Sequence, residues 1–154
     1  MPDDVVDDSF TDFVKLNEPR LRHALTALFG TELGKEMTAE SLAYGWEHWD
    51  RLQVMVNPPG YLYTVGKDRG RRLIARRRPV FLAVDVDRQP WVEPQLADAL
   101  AGLSERQRVV VMLLHSFQYS MSEVGELLGM SKSTVNTHSR RGLHRLRKQL
   151  GVEL

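Results

Sequence analysis

The chain has 154 residues, of which 42% are hydrophobic and 27% are charged, and its formal net charge at pH 7 is +1. This length suits one ordinary domain or two small ones, and the composition is typical of a soluble chain with packed cores. It contains no cysteine, which excludes disulfides, thiolate metal sites and cysteine nucleophiles. No apolar run approaches the roughly 20 residues of a membrane span, and the acidic N-terminus is not a secretory signal, so we expect a cytoplasmic protein.

The basic residues are concentrated in two stretches. Residues 61–78 carry seven Lys or Arg against one acid, and residues 131–150 carry six and no acid. Together these stretches hold 13 of the 21 basic residues and one of the 20 acidic residues. Two separate basic patches on a nearly neutral chain favour two contacts with one long polyanion, such as DNA, over two merely solvated helix faces.

The first half of the chain has helical periodicity. An apolar stripe runs from Phe10 to Phe29, with Pro19 in a first turn or kink, and a loop containing Gly34 is expected over residues 31–35. Thr38 can cap a second helix that ends near residue 51. The Asn-Pro-Pro-Gly run at residues 57–60 predicts a loop, and a third, basic helix follows from Tyr61.

Three prolines within residues 79–94 mark a linker between two predicted helical domains, over residues 8–78 and 95–151. In the second domain a short helix near residues 96–103 precedes a helix that Ser104 can cap. We therefore predict an all-α fold without a sheet.

Residues 122–150 have the pattern of a helix-turn-helix. A short helix ends at Gly129, which can adopt the left-handed conformation, and Ser131 can cap the basic helix that follows. Small and polar side chains early in a basic helix are what major-groove recognition requires. The predicted contacts of this recognition helix with DNA are Lys132, Ser133, Thr134, Asn136, Thr137, Arg140 and Arg141.

This second domain resembles region 4 of sigma-70 class sigma factors of the extracytoplasmic-function group. The shared motifs are Leu103-Ser104, Gln107-Arg108, Glu123-Val124-Gly125, Leu128-Gly129, Ser131, Thr134-Val135, and Arg141 through Leu146-Arg147. The first half is similar, more loosely, to region 2, through Leu21 to Leu25, Thr38 to Leu42, Trp46, Trp49 and Pro59 to Tyr63.

The resemblance implies a factor that directs core RNA polymerase to promoters. It would recognise the −35 element with the recognition helix and bind the clamp and flap of the polymerase, and an anti-sigma or other regulatory protein is a further possible partner. The implied −10 contacts are Asn57, Tyr61, Tyr63, Lys67, Arg71 and Arg78, where the tyrosines could stack on unpaired bases. The implied polymerase contacts are Glu40, Ser41, Tyr44, Glu47 and His48. Such a factor would be associated with the nucleoid.

Three positions depart from the family pattern. The family often has Asp at Ser41 and Gln at Tyr44, which bears on polymerase docking. It often has Asn at Asp68, and a carboxylate there would repel phosphate. At least one of Trp46 and Trp49 is expected in the core.

Two other functions remain open at this level. Thr134 to His138 is also close to the T-V-x-x-H of LuxR-like regulators, which would act as dimers on a palindrome. Alternatively, the chain is an interaction module that binds polymerase or a regulatory protein without specific DNA contact. Nothing in the sequence indicates an enzyme, a cofactor or a metal site, because the five histidines show no ligand spacing, and His115 is expected to be a core residue.

Overall fold

The computed structural model describes residues 2–77 and 94–152, and these residues form helices and turns without a strand. The predicted linker lies almost wholly outside the described residues, so its boundaries stay a prediction. The helices are α1 (Pro2–Phe29), α2 (Thr31–Glu47), α3 (Trp49–Leu52), α4 (Pro58–Arg77), α5 (Pro94–Ala101), α6 (Glu105–Val111), α7 (Met121–Leu128) and α8 (Lys132–Leu150), with a π-helical turn at Met112–Ser116 between α6 and α7. The predicted all-α fold is confirmed.

The helices pack in two groups that also contact each other. Helices α1, α2 and α4 pack together, and α8 packs against α5, α6 and α7. Helix α1 also contacts α6 and the π-helical turn, and α4 contacts α7. The buried apolar side chains form one continuous cluster, from Leu21 in α1 to Leu146 in α8. The two helical groups are therefore packed on one another in this structure.

The loop predicted over residues 31–35 is wrong. Helix α1 runs through Pro19 to Phe29, and the only break before α2 is Gly30, whose φ of 89° favours glycine. Thr38 is not a cap, because it lies buried inside α2, where its hydroxyl donates a 2.7 Å hydrogen bond to the Gly34 carbonyl. The turn between α1 and α2 is a single residue, so the glycine itself is its one signal in the sequence.

The loop predicted at residues 57–60 is shorter than expected. Pro58 and Pro59 lie in the first turn of α4, where a missing backbone N–H costs nothing. Asn57 stabilises that end, since its Oδ1 accepts a hydrogen bond of 3.1 Å from the backbone N of Gly60.

The predicted core role of one tryptophan is confirmed, with Trp49 only 5% exposed and Trp46 exposed on the surface.

Helix α4 lies very close to α2 at Gly66. A Cβ atom built on Gly66 would lie 2.5 Å from Ser41 Oγ and 2.8 Å from Leu25 Cδ1. Ser41 is fully buried at this contact, and its hydroxyl has no hydrogen-bond partner among the residues that the structure describes. The small side chain of Ser41 thus permits the close approach of α4, and its burial corrects the expectation that Ser41 contacts polymerase.

We expect Gly66→Ala to destabilise the fold by about 1–3 kcal/mol, because the added methyl overpacks a contact with no free space. Thermal unfolding should shift downward by roughly 3–10 °C. Gly102→Ala is the matched control, since its Cβ would lie close to the end of the Gln149 side chain, which can move away, and at an ordinary van der Waals distance of 3.5 Å from the Ala99 carbonyl. Equal melting temperatures for both variants would contradict the close packing of α2 and α4.

Candidate nucleic-acid interface

The helix-turn-helix forms as the sequence predicts, because its caps are local. Ser120 and Glu123 make a reciprocal capping box at the start of α7, and Gly129 ends α7 in the left-handed conformation, with φ 69°. Ser131 then caps α8 by accepting a 3.2 Å hydrogen bond from the backbone N of Thr134. Val135 is fully buried and fixes the rotation of α8 against the domain core.

The early part of α8 presents its polar side chains to solvent. Lys132, Ser133, Thr134, Arg140 and Arg141 are exposed, and Asn136 and Thr137 are half-buried. Residues 132, 136 and 140 are four apart, which places them along one edge of the helix. Two hydroxyls are engaged locally, since Thr137 donates to the Ser133 carbonyl at 2.9 Å and the hydroxyls of Ser133 and Ser131 lie 3.1 Å apart.

The surface around α8 is positively charged without a contribution from His138. Burial, followed by repulsion from Arg106 and Arg141, lowers the pKa of His138, which therefore stays neutral at pH 7. His115 is exposed rather than in the core, and its Nε2 lies 3.2 Å from the hydroxyl of Ser139. The π-helical turn places it outside the apolar face that the α-helical periodicity predicted.

Two residues predicted to bind polymerase, Tyr44 and His48, meet one residue predicted to bind the −10 element, Tyr61, in one cluster. The Tyr44 ring stacks on His48 at 4.1 Å, and its hydroxyl lies 3.3 Å from that of Tyr61. Arg51 donates a 2.6 Å hydrogen bond to the Tyr44 hydroxyl, and the Arg69 guanidinium lies 5.4 Å from the Tyr44 ring centroid. We call these five residues the aromatic cluster. Arg51 and Arg69 join this cluster from α3 and α4, and neither could be assigned to it from the spacing of residues along the chain.

Two other predicted polymerase contacts, Glu40 and Glu47, lie on α2, the helix that also carries Tyr44. Glu40 forms an ion pair with Arg69 at 3.5 Å, and both side chains are substantially exposed. Glu47 is exposed and follows Tyr44 by one turn. Glu40, Tyr44 and Glu47 are thus accessible on α2, in contrast to Ser41.

Of the predicted −10 residues that the structure describes, Tyr61 lies at the surface and the others lie toward the second domain, with the Arg71 side chain still about half exposed. Tyr61 remains at the surface, 37% exposed. Tyr63 is 5% exposed, and burial raises its pKa, so it remains an uncharged phenol. Tyr63, Lys67 and Arg71 line a cleft of about 130 Å³ together with Glu105 and other residues of the second domain. In this structure Tyr63 is a packing residue, which corrects its predicted exposure to unpaired bases. Arg78 lies outside the described residues.

The two domains are joined by polar contacts that sequence reasoning missed. Arg108 donates hydrogen bonds from Nε to the Ala27 carbonyl at 2.8 Å and from Nη2 to the Leu28 carbonyl at 3.0 Å. These carbonyls belong to the last turn of α1, where backbone carbonyls lack hydrogen-bond donors from within the helix. Burial lowers the pKa of Arg108, although the guanidinium remains charged at neutral pH.

The fold and this surface define a class. A polar, basic second helix that follows a tight left-handed turn is the arrangement of a helix-turn-helix motif. Residues 99–148 match the family described as Sigma-70, region 4, and this range includes α7 and all but the last two residues of α8. The second domain is therefore similar to sigma-70 region 4 domains.

Similar proteins agree with this assignment. The chain is 42% identical over 55 residues to the RNA polymerase sigma factor FliA of Pseudomonas aeruginosa, and 46% identical over 55 residues to the RNA polymerase sigma-E factors of Streptomyces antibioticus and Streptomyces coelicolor. These matches cover 36% of this chain, 22% of FliA and 31% of each sigma-E factor. The chain thus spans less than a third of the length of each of these relatives.

The whole fold is similar to a solved sigma factor. The sigma factor RpoE from Bartonella quintana, in a co-crystal structure with the anti-sigma factor NepR, matches with a TM-score of 0.65. The match covers 95% of this chain and 99% of that chain, at 19% sequence identity. The resemblance to sigma-70 class factors is confirmed, and the LuxR-like alternative is not favoured.

None of the helices described is long and apolar enough to cross a membrane. Within the same residues, no group of three or more His, Asp or Glu side chains is arranged to hold a metal ion.

Proposed function

We propose that this chain is an RNA polymerase sigma factor of the extracytoplasmic-function type, which directs core polymerase to specific promoters. The observation that carries the proposal is the sigma-70 region 4 domain with its exposed recognition helix, α8, in a chain with the fold of a two-domain sigma factor. In this function α8 recognises the −35 element through Lys132, Ser133, Thr134, Asn136, Thr137, Arg140 and Arg141.

The first domain supplies the proposed contacts with the −10 element and with core polymerase. Tyr61 is exposed beside the loop that joins α3 to α4, where it can stack on an unpaired base of the −10 element. Asn57, Lys67 and Arg71 are the further proposed −10 contacts among the described residues. Core polymerase binds the exposed face of α2 and the residue that follows the helix, through Glu40, Tyr44, Glu47 and His48.

The proposed partners are core RNA polymerase, through its clamp and flap, and promoter DNA. An anti-sigma protein or another regulatory protein is a further proposed partner, supported by the structural neighbour, which was solved with an anti-sigma factor. We propose no catalytic activity and no cofactor, and we propose that the chain acts on nucleoid DNA in the cytoplasm.

Transcription with purified core polymerase tests this function directly. Core polymerase with the chain is incubated with a promoter library made from genomic fragments, and transcript start sites are mapped. We expect starts at a set of sites that share −35 and −10 sequences and that are absent with core polymerase alone. Binding to core polymerase without defined starts would instead support an interaction module, and binding to a palindrome as a dimer would support a LuxR-like regulator.

Replacing Glu40 and Tyr44 together with alanine should weaken binding to core polymerase by roughly tenfold or more, the loss of one or two strong interface contacts. Binding of the full chain to duplex DNA should not change, because α8 is untouched. Fluorescence anisotropy of labelled chain titrated with core polymerase measures the first effect. Glu32→Ala, an exposed acid in the first turn of the same helix, is the control. Unchanged core affinity in the double variant would exclude this face of α2 as the docking surface.

A further inference from the structure

An exposed tyrosine of α4 touches the helix that carries the proposed polymerase contacts. Tyr61 lies in the first turn of α4, and its ring centroid is 6.2 Å from that of Tyr44 on α2, with the ring planes 36° apart. The two hydroxyl oxygens are 3.3 Å apart, which is the distance of a long hydrogen bond. This contact joins a residue proposed to bind polymerase to a residue proposed to stack on a −10 base.

Arg51 holds the Tyr44 hydroxyl from the other end. Its Nη2 donates a hydrogen bond of 2.6 Å to the Tyr44 oxygen. A guanidinium has donors only, so the Tyr44 oxygen is the acceptor here, and the hydroxyl proton of Tyr44 remains available for Tyr61. The three side chains thus form a chain of hydrogen bonds from Arg51 through Tyr44 to Tyr61, in which each bond polarises the next.

The helix that supplies Arg51 is fixed to the core. Arg51 belongs to the four-residue helix α3, in which Trp49 is buried and Leu52 is completely buried. These two apolar side chains anchor α3 against the first domain and leave the Arg51 side chain exposed beside Tyr44. Arg51 is therefore presented from a rigid support.

The Tyr44 ring is restrained as well as its hydroxyl. The His48 ring stacks on it with planes 21° apart, and the Arg69 guanidinium lies 5.4 Å from its centroid. The Nδ1 of His48 is in turn 3.0 Å from the Tyr44 carbonyl. Among the residues that the structure describes, Tyr44 is the one aromatic or hydrogen-bonding partner of the Tyr61 side chain. The orientation of the Tyr61 ring therefore depends on Tyr44.

We propose that Arg51 is a positioning residue, which acts through Tyr44 to hold the Tyr61 ring in place for stacking on an unpaired base. This inference rests on the proposed promoter-binding function. An exposed tyrosine that rotates freely loses that freedom when a base stacks on it, and the loss weakens binding. A ring already restrained by Tyr44 avoids most of this loss. A contact of core polymerase with Tyr44 also acts on Tyr61, because the two hydroxyls are joined.

The restraint on Tyr61 can be measured without polymerase or DNA. The chain contains four tyrosines, which fluorotyrosine labelling turns into four fluorine NMR resonances, and the Tyr61 resonance is the one missing in Tyr61→Phe. We expect Tyr44→Phe and Arg51→Met each to shift and narrow this resonance, because the ring becomes more mobile. Lys35→Met, which removes an exposed positive charge from α2, is the control and should leave it unchanged.

The resonances of Tyr63 and Tyr119, which lie outside the cluster, report on the fold of each variant. They should keep their positions in Tyr44→Phe and in Arg51→Met. With those two resonances in place, an unchanged Tyr61 resonance in either variant would overturn the proposal.

Binding of single-stranded DNA to the assembled polymerase tests what the restraint achieves. Core polymerase saturated with each chain is titrated with a fluorescent single strand that carries the −10 sequence found by start-site mapping. Tyr44→Phe, which changes no charge, should weaken binding about threefold to tenfold, the cost of immobilising one side chain. In a chain that already carries Tyr61→Leu, the same change should have no further effect. Arg51→Met should likewise lose more in the parent than in the Tyr61→Leu chain, where only its charge matters.

Two kinds of failure are distinguishable. Equal losses in the parent and in the Tyr61→Leu chain would show that Tyr44 and Arg51 act independently of Tyr61, which contradicts the proposed positioning. If Tyr61→Leu itself binds the strand as tightly as the parent, or if the parent chain does not bind core polymerase, the proposed −10 function fails. In that case the fluorine spectra still decide whether Arg51 and Tyr44 hold the Tyr61 ring.

Discussion

Replacing Arg140 with alanine should cost about 1–3 kcal/mol of binding free energy on the preferred −35 sequence and little on random duplex DNA. Arg140 is exposed on α8, one turn beyond Asn136 and two beyond Lys132, on the edge that faces away from buried Val135. A guanidinium in this position can donate two hydrogen bonds to a guanine edge, which is a sequence-specific contact. Selection of duplexes from a random library with the full chain supplies the preferred sequence, and anisotropy titration measures both affinities.

Lys148→Ala is the comparison variant, because Lys148 lies in the last turn of the same helix. We expect it to weaken binding to preferred and scrambled duplexes by the same factor and to flatten the dependence of affinity on salt, as the loss of a phosphate contact does. Equal losses on both duplexes for Arg140→Ala would mean that α8 enters the groove in a different orientation from the one proposed.

Replacing Arg108 with methionine should open the packing between the domains. Methionine retains much of the apolar length of the side chain but leaves the carbonyls of Ala27 and Leu28 without their donors. Two buried carbonyls without hydrogen-bond donors destabilise the closed arrangement, in which the domains are packed together, by about 2–4 kcal/mol. Water can donate hydrogen bonds to these carbonyls once the domains separate. A shift of that size changes the ratio of closed to open chain by a factor of roughly 30 or more. The radius of gyration in solution should rise above the roughly 15 Å of a compact chain of this length.

Arg106→Met is the matched control, since Arg106 is exposed on the same helix, two residues earlier. It should leave the radius of gyration unchanged. If Arg108→Met instead unfolds the second domain, far-ultraviolet circular dichroism will show a loss of helix. An unchanged radius with retained helix in Arg108→Met would show that the hydrogen bonds to α1 do not hold the domains together.

The second domain could be predicted closely from the sequence because its signals are local. Ser104, Ser131 and Gly129 each act within one turn of their own position, as caps or as a left-handed helix end. The family motifs in this domain coincide with those caps and with buried positions such as Val135. These caps and buried positions determine which side chains of α8 are exposed, so the polar surface of the recognition helix could be predicted as well.

The first domain was predicted less accurately, for two physical reasons. The break between α1 and α2 is a single residue, Gly30, and a loop of several residues was expected instead. The family resemblance placed Ser41 at a docking surface, but close approach of Gly66 requires a small buried side chain at that position. Whether a polar residue on a helix faces a partner or a neighbouring helix depends on packing distance, and periodicity alone does not specify that distance.

The sequence by itself determined that the chain is helical, that residues 121–150 form a helix-turn-helix, and which polar side chains α8 presents at its surface. Those properties depend on propensity, capping and the spacing of apolar residues along one chain segment. Only the tertiary structure decided that Tyr63, Lys67 and Arg71 lie against the second domain and that Arg108 caps the last turn of α1. These contacts join residues about 34 to 81 positions apart, and they depend on how two preformed helical groups complement each other in shape and charge.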